Sequence, residues 1–233
     1  MLGRAMPSKS LKKKDSRDPA WSRARRPEQK LERREAILAA ATGLIDAGGI
    51  DGTSLTGIAS AAGLSKANLY RYFESREAIL LDVALAEAEG WVLDLETRLR
   101  ETSGAEAAAE VFADSIVAAP RLCMLAASLT SVLERNVGEE VVAAFKTGFH
   151  RLMDRAATAL AATAESLDPE TGRAFVAFSL MYVAGAWPAA HPAPAVANVL
   201  AREDFAHMAV DFEEALRAHT AVVMRGLVAP ASP

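Results

Sequence analysis

Apolar residues recur every three or four positions along most of the chain, which is the spacing of amphipathic helices. The first such helix is predicted from the apolar residues Ile37, Leu38, Ala41, Leu44 and Ile45. Gly48-Gly49 follows this segment. Because glycine readily adopts the left-handed conformation that often follows a helix, the pair predicts the end of the helix.

Two shorter helices are predicted next, with a glycine turn between them. Ser54 can cap the first, and its apolar face is formed by Leu55, Ile58, Ala59 and Ala62. After Gly63, Ser65 can cap the second. The apolar side of this second helix is formed by Leu69, Tyr72 and Phe73, and its polar side by Lys66, Ala67, Asn68 and Arg71. Two short helices joined by a tight turn are typical of a helix-turn-helix unit.

The remaining chain continues the helical pattern. Ser75 can cap a long helix over 75–100, and three further helices are predicted around the apolar sets 111–116, 122–133 and 142–152. These segments predict the body of the protein.

Two more helices complete the predicted fold. The segment 169–187 begins after the capping residue Asp168 and is apolar on two faces, which predicts burial on both. A loop at 191–194 separates it from an amphipathic helix over 203–223. With about nine helices in total, the predicted fold class is all-α, with an N-terminal three-helix helix-turn-helix domain and a C-terminal helical bundle.

Composition and charge divide the chain further. Hydrophobic residues make up 51% of it, which is enough for a sizeable core. Residues 1–73 hold 14 Lys and Arg against 7 Asp and Glu, whereas residues 74–233 hold 12 against 23. The basic part is expected to attract phosphate, with a merely solvated basic tail as the alternative.

We predict a disordered basic tail at 1–27, a DNA-binding domain at 28–75, a ligand-binding and dimerisation domain at 76–225, and a disordered tail at 226–233.

Reactive residues are too few and too scattered to predict a catalytic or metal site. Cys123 is the only cysteine, which excludes an intrachain disulfide and a four-thiolate zinc site. The sequence contains no glycine-rich phosphate loop. The four histidines lack metal-ligand spacing: His150, His191, His207 and His219. Neither a cofactor nor a metal is expected, and an enzyme is the less favoured alternative. The absence of a signal pattern and of a bilayer-length apolar stretch predicts a cytoplasmic protein without a membrane partner.

The segment SLTGIASAAGLSKANLYRYF, residues 54–73, resembles the DNA-binding signature of the tetracycline-repressor (TetR) family of bacterial regulators. The resemblance extends over about residues 35–81. At Thr56-Gly57 the sequence departs from the Arg-Asp pair common in the family, which removes the phosphate contact that an arginine would offer. The resemblance implies a sequence-specific transcriptional regulator, by default a repressor.

The second short helix is predicted to read DNA bases. Its N-terminal residues would enter the major groove, where lysine can donate to guanine, asparagine can pair with adenine, and an alanine methyl can touch thymine. The predicted reading residues are Lys66, Ala67, Asn68 and Arg71. The alternative is that the charged residues among them are ordinary solvated side chains.

Other residues are predicted to position the protein on the DNA backbone. By resemblance, Tyr70 and Tyr72 contact phosphates, and Arg76 adds a charged contact. Ser54, Thr56 and Ser65 complete the predicted DNA-binding set, since free amides at the starts of the two short helices also attract phosphate. Alternatively, Tyr72 belongs wholly to the core.

The resemblance implies that the body forms a homodimer. The helices at 169–187 and 203–223 would pack against their copies in a second subunit. The alternative is that 169–187 is simply the central helix of one bundle. A dimer would hold two recognition helices about 34–36 Å apart, which predicts a pseudo-palindromic operator in double-stranded DNA.

The resemblance also implies a small-molecule effector that binds in the body, tilts the helix at 75–100 and releases the DNA. No cluster of charged residues is expected to point inward, so the effector is expected to be largely apolar or aromatic. The candidate pocket residues, for each of which core packing is the alternative role, are Met124, Phe145, Phe149, His150, Phe178, Tyr182 and Trp187. A helical interaction protein that retains the head without binding DNA is a second alternative.

Overall fold

The structure, a computed structural model, describes residues 19–229, and these residues are helical with no strand. Its ten α-helices are α1 (Pro19–Gly52), α2 (Leu55–Ala61), α3 (Lys66–Leu69), α4 (Arg76–Leu99), α5 (Ala105–Val117), α6 (Pro120–Ser128), α7 (Glu139–Ala161), α8 (Pro169–Ala190), α9 (Pro194–Leu200) and α10 (Phe212–Val228). A π-helical turn at Leu129–Leu133 follows α6, and a 3-10 turn at Ala206–Met208 precedes α10. The predicted all-α class is confirmed.

Residues 37–229 form one compact unit, and residues 19–36 belong to another. Within the larger unit, α2, α3, the second half of α1 and the start of α4 share a hydrophobic core, which we call the head core. Leu125 of α6, Leu133 of the π-helical turn and Phe145 of α7 also belong to it. Its other buried residues include Ile37, Ala41, Ile45, Ile58, Leu69, Phe73 and Ile79. The predicted helix end at Gly48-Gly49 is confirmed by a break at Gly49, where φ is +67°. One further turn then extends α1 to Gly52.

Helix α4 connects the head core to a second core, which we call the body core. Its first two turns are buried in the head core, and its residues from Ala88 to Leu99 are buried in the body core. Phe112 of α5 lies near the centre of the body core. Its ring meets those of Trp91 and Phe175 edge-on, at centroid distances of 5.6 Å and 5.0 Å. A single helix is therefore part of both hydrophobic cores.

Helices α7 and α8 approach each other closely at Gly172. A Cβ atom at this position would lie 2.6 Å from the carbonyl oxygen of Ala157, which is closer than side-chain atoms pack. The absence of a side chain at Gly172 therefore allows the contact between the two helices.

The N-terminal part of α1 differs from the sequence prediction. The helix begins at Pro19, inside the segment 1–27 that was predicted as a disordered basic tail, and residues 1–18 of that tail lie outside the described residues. Proline is well suited to a first helical position, and the Arg, Glu, Gln and Lys residues that follow have high helix propensity without any apolar periodicity.

The segment 122–133, predicted as one helix, contains a change of helix type. Helix α6 begins at Pro120 and ends at Ser128, and the π-helical turn continues the chain to Leu133. Apolar periodicity alone does not distinguish these two helical forms over five residues.

The C-terminal region shows the largest differences from the prediction. The last helix begins at Phe212 rather than near residue 203, because the Asp211 side chain accepts a hydrogen bond from the Glu214 N–H and caps the helix there. Helix α9 was not predicted, and α8 continues through Pro188 to Ala190. Helix α10 extends to Val228, within the tail predicted to be disordered, and residues 230–233 lie outside the described residues. Over the described residues, no single helix combines the length and apolar character needed to cross a bilayer.

Candidate nucleic-acid interface and ligand cavity

Three serine caps define the helices of the head. The Oγ atom of Ser54 accepts a hydrogen bond from the Gly57 N–H at 3.0 Å, and that of Ser65 accepts one from the Asn68 N–H at 3.3 Å. Ser75 caps α4 in the same way, at 3.0 Å from the Ala78 nitrogen. The predicted caps are confirmed, and they set where α2, α3 and α4 begin.

The turn between α2 and α3 requires glycine. Gly63 has a φ of +66°, a conformation that residues with a side chain rarely adopt. The Leu64 N–H then donates to the carbonyl of Ala59 at 2.8 Å and closes the turn. This turn fixes the direction in which α3 leaves α2.

Helix α3 has a buried side and an exposed side. Leu69 and Phe73 are anchored in the head core. The four predicted reading residues are all exposed: Lys66, Ala67 and Asn68 lie on α3, and Arg71 lies in the turn that follows. The predicted helix included Tyr72 and Phe73, but α3 ends at Leu69. Tyr70 is also exposed, with 55% of its surface accessible. The exposed surface of α3 and of the turn after it, which we call the reading face, therefore carries donors, acceptors and a methyl group that can approach a ligand.

The predicted backbone-contacting residues are less uniform. Ser54, Thr56 and Ser65 are exposed. Tyr72 is half-buried and packs against the head core, which agrees in part with its alternative structural role. Arg76 is mostly buried, and its guanidinium donates to Glu77 Oε1 at 3.0 Å and to the Thr53 carbonyl at 3.4 Å. A phosphate would have to share Arg76 with these partners.

The Thr56-Gly57 departure has a local structural explanation. A Cβ atom on Gly57 would lie 3.2 Å from the Ser54 Oγ atom and 3.3 Å from Cδ1 of Leu44. Gly57 therefore leaves room both for the serine cap and for the close approach of α2 to α1.

A cavity of about 610 Å³ lies between α4, α6, α7 and α8. Most of its wall is apolar, with contributions from Ala88, Trp91, Leu122, Leu125, Phe145 and Val176. Of the predicted pocket residues, Phe145, Phe149 and His150 line this cavity. The sequence did not indicate the α4 and α6 contributions, because Trp91 and Leu125 look like ordinary core residues.

The other predicted pocket residues lie elsewhere. Met124 packs against the head core, and Phe178 is 51% exposed. Tyr182 stacks on His219 with ring centroids 4.0 Å apart, and Trp187 stacks on His191 at 3.8 Å. The sequence shows that these side chains are large and belong to predicted helices of the body. Helical periodicity could not determine which side of each helix faces the cavity.

One end of the cavity is charged, so the expectation that no charged cluster points inward is wrong. The lining includes Lys146, His150, Asp154 and Arg173. His150 Nε2 lies 3.4 Å from Asp154 Oδ2, and Arg173 Nη1 lies 3.6 Å from Asp154 Oδ1. Three of these residues are on α7 and one is on α8, so the cluster forms only when the two helices pack.

Two family profiles match the chain. The profile of bacterial regulatory proteins of the tetR family matches residues 37–83, and that of the tetracyclin repressor-like C-terminal domain matches residues 85–231. The chain belongs to the TetR family of transcriptional regulators. The first profile contains the helix-turn-helix, and the second contains every cavity-lining residue except Ala84.

Solved structures share the TetR-family fold at low sequence identity. A transcriptional regulator from Rhodococcus sp. Rha1 is 16% identical with a TM-score of 0.55, and the match covers 83% of this chain and 96% of that one. A TetR-family transcriptional regulator from Streptomyces coelicolor is 20% identical with a TM-score of 0.50, and the match covers 82% of this chain and 99% of that one. The fatty acid degradation regulator FadR from Bacillus halodurans is 15% identical with a TM-score of 0.50, and the match covers 85% of this chain and 96% of that one. No curated protein matches the chain.

This TetR-family regulator has a link between its head and body that sequence reasoning missed. The Arg121 guanidinium donates to both carboxylate oxygens of Asp46 at 2.8 Å and 2.9 Å, and to Glu87 Oε1 at 2.6 Å. These residues lie on α6, α1 and α4. The Arg121 hydrogen bond lowers the pKa of Asp46 below its usual value of 3.8.

A second such link joins the end of the helix-turn-helix to α7. The Glu74 carboxylate accepts a hydrogen bond from the Gly138 N–H at 2.6 Å. Neither link has a local signal in the sequence, because Glu74 and Gly138 are 64 residues apart, and Asp46 and Arg121 are 75 residues apart.

Helices α8 and α10 leave apolar side chains exposed. Phe178 and Met181 on α8 are 51% and 66% accessible, and Val222 on α10 is 63% accessible. Beneath this surface, burial lowers the pKa of His219. We refer to this surface as the α8–α10 face.

Proposed function

We propose that this chain is a sequence-specific DNA-binding repressor, released from a pseudo-palindromic operator by a small molecule that binds in the cavity. The observation that carries the proposal is the reading face, which presents Lys66, Ala67, Asn68 and Arg71 together while Leu69 is fully buried. A rigidly anchored helix with exposed polar residues at its N-terminus suits insertion into the major groove.

The proposal includes a homodimer. Several exposed apolar side chains on one surface often mark an interface, and the α8–α10 face offers Phe178 and Val222 together with Met181, which also lines the cavity. Two subunits related by a two-fold axis would present two reading faces to successive major grooves, about 34–36 Å apart.

Release by an effector is supported by the position of α4. Its residues Ala84, Ala88 and Trp91 line the cavity, and its first residue, Arg76, directly follows the helix-turn-helix. A ligand that shifts α4 would therefore change the position of the reading face. In thermodynamic terms, the ligand must bind the DNA-released geometry more tightly than the DNA-bound one.

DNA binding is tested with the reading face. Lys66→Ala and Arg71→Ala should each weaken specific binding to the DNA that flanks the protein's own gene by about 1–3 kcal/mol, because each removes donors to base edges. Fluorescence anisotropy over a salt series measures this loss. Arg100→Ala, which removes an exposed cation at the far end of α4, is the matched control and should bind as the unmodified protein does.

The proposal fails if the unmodified chain binds DNA only weakly, without sequence preference and with complete loss at moderate salt. Such a result, together with unchanged binding by both variants, would favour the alternative of a helical interaction protein.

A further inference from the structure

The cavity joins two chemically different environments. Its apolar wall includes the side chains of Trp91, Leu125 and Val176. The one side-chain donor among these three, the indole N–H of Trp91, already donates to the Ser115 hydroxyl at 2.9 Å. Its other end carries the charged side chains of α7 and α8: Lys146, His150, Asp154 and Arg173. A ligand that fills both environments must have an apolar body and one polar end.

Arg173 offers the most open hydrogen-bonding group at the charged end. Its guanidinium makes no hydrogen bond to the side chains that the structure describes, and in its ion pair with Asp154 the two atoms are 3.6 Å apart, beyond normal hydrogen-bond length. The side chain is half-exposed at the cavity. A planar guanidinium with free N–H groups binds a carboxylate through two parallel hydrogen bonds.

The other charged side chains are less open to a ligand. Lys146 is already paired, with Nζ 2.6 Å from Glu134 Oε1. The Asp154 carboxylate already faces two nitrogen atoms: His150 Nε2 lies 3.4 Å from Oδ2, and Arg173 Nη1 lies 3.6 Å from the buried Oδ1, so an ammonium group would have to compete with both. An ammonium group placed there would also be repelled by Arg173.

Asp154 limits the charge of an anionic ligand. A monoanion beside Arg173 is compensated by the guanidinium, whereas a second negative charge would meet the Asp154 carboxylate without a free cation to balance it. The size of the cavity, about 610 Å³, lies within the range of roughly 300–1,000 Å³ that is usual for small-molecule sites.

We propose that the cavity binds an apolar monocarboxylate, with the hydrophobic body against Trp91, Leu125 and Val176 and the carboxylate on the guanidinium of Arg173. This inference names the effector class and so rests on the proposed function. It replaces the sequence-based expectation of a wholly apolar or aromatic effector with an amphiphilic acid.

The test uses three probes that share one alkyl chain and differ in the head group: dodecanoate, dodecan-1-ol and dodecylamine, each below its micelle concentration. Isothermal titration calorimetry on the full chain should give the tightest binding for dodecanoate. Arg173→Gln should weaken dodecanoate binding by about tenfold or more and leave dodecanol binding unchanged, because only the charged hydrogen bonds are lost.

Arg151→Gln is the matched control, since Arg151 is exposed on α7, close to His150, but does not line the cavity. It should bind dodecanoate as the unmodified chain does. Thermal unfolding of each variant verifies that the fold is retained, as expected for exposed positions.

The inference is overturned if dodecylamine binds as tightly as dodecanoate, if dodecanoate does not bind, or if Arg173→Gln and Arg151→Gln have equal effects. Operator binding measured on the same preparations separates the two proposals. Specific DNA binding without dodecanoate binding rejects only the carboxylate inference, whereas dodecanoate binding without specific DNA binding rejects only the regulator.

Discussion

Arg121 is the charged side chain through which α6 contacts the head, beside the apolar contacts that Met124 and Leu125 make with the head core. It bridges Asp46 on α1 and Glu87 on α4, while its neighbour Leu122 lines the cavity. Partly exposed ion pairs contribute little to stability, so we assign Arg121 a positioning role. A ligand that displaces α6 would act on the head through this guanidinium as well as through Met124 and Leu125.

The Arg121 bridge predicts a pH-dependent contribution to stability. Because Arg121 lowers the pKa of Asp46 below 3.8, the unfolded chain binds the proton more tightly than the native protein. The bridge therefore stabilises the protein above pH 3.8, and this stabilisation is lost as the pH falls through the native pKa. Arg121→Ala should lower the urea midpoint of unfolding at neutral pH and by a smaller amount near pH ~3.

Arg135→Ala, which removes an exposed arginine outside the bridge, should shift the midpoint little and equally at both pH values. If the difference between the unmodified chain and Arg121→Ala is constant with pH, Asp46 is not held by Arg121 in solution.

Side-chain contacts differ in how far they can be predicted from the sequence. The caps Ser54, Ser65 and Ser75 were predicted correctly, because each hydroxyl and the N–H that it accepts from are three residues apart. The partners of Arg121 are 34 and 75 residues away, so only the packing of three helices brings them together. The charged end of the cavity was missed for the same reason.

At the level of helices, the contact between α7 and α8 depends on a missing side chain. The backbone of α7 occupies the space beside Gly172, and both helices contribute to the cavity wall. Any side chain at this position would push α8 outward and change the distance between Asp154 and Arg173.

Gly172→Ala should therefore destabilise the protein by about 1–3 kcal/mol, because the new methyl group meets backbone atoms that cannot move independently. Urea unfolding measures the change. Gly90→Ala is the control: Gly90 lies exposed within α4 with no neighbour near its Cβ position, and alanine there should stabilise the helix by up to about 1 kcal/mol. Equal effects of the two substitutions would show that α8 does not pack against α7 in this way.

The helices themselves were predicted where local signals agreed. In the head, a cap, an apolar face and a glycine turn all pointed to α2 and α3. Before the last helix, Phe205, Met208 and Phe212 have a helical spacing. This spacing predicts a helix start near residue 203, whereas α10 begins at Phe212. Met208 is 58% exposed, so the apolar pattern before Asp211 reports an exposed segment instead of a buried helical face.

For the whole molecule, the proposed interface on the α8–α10 face would hold two heads together. Phe178, Met181 and Val222 lie on helices of the body, far along the chain from the reading face. An operator with two half-sites needs two subunits held at a fixed spacing, so the proposed DNA binding depends on this face as well as on α3.

Val222→Asp should shift the protein toward monomer and weaken binding to a two-site operator, because the carboxylate would be desolvated in the proposed interface. Sedimentation equilibrium measures the shift. Leu93→Asp, which places the same charge at a 52% exposed apolar residue on α4, should leave the association unchanged. A monomeric unmodified chain, or equal dissociation by both variants, would contradict an interface on the α8–α10 face.

The separation of the cavity from α3 has a consequence for how such a protein can diversify. The residues that limit ligand size include the small side chains Ala84 and Ala88, and none of the cavity residues belongs to the reading face. A mutation that enlarges or fills the cavity therefore changes none of the residues proposed to contact bases, and the converse also holds. If the chain is the proposed regulator, a copy that arises by gene duplication can acquire a new effector while it keeps the reading face for the original operator.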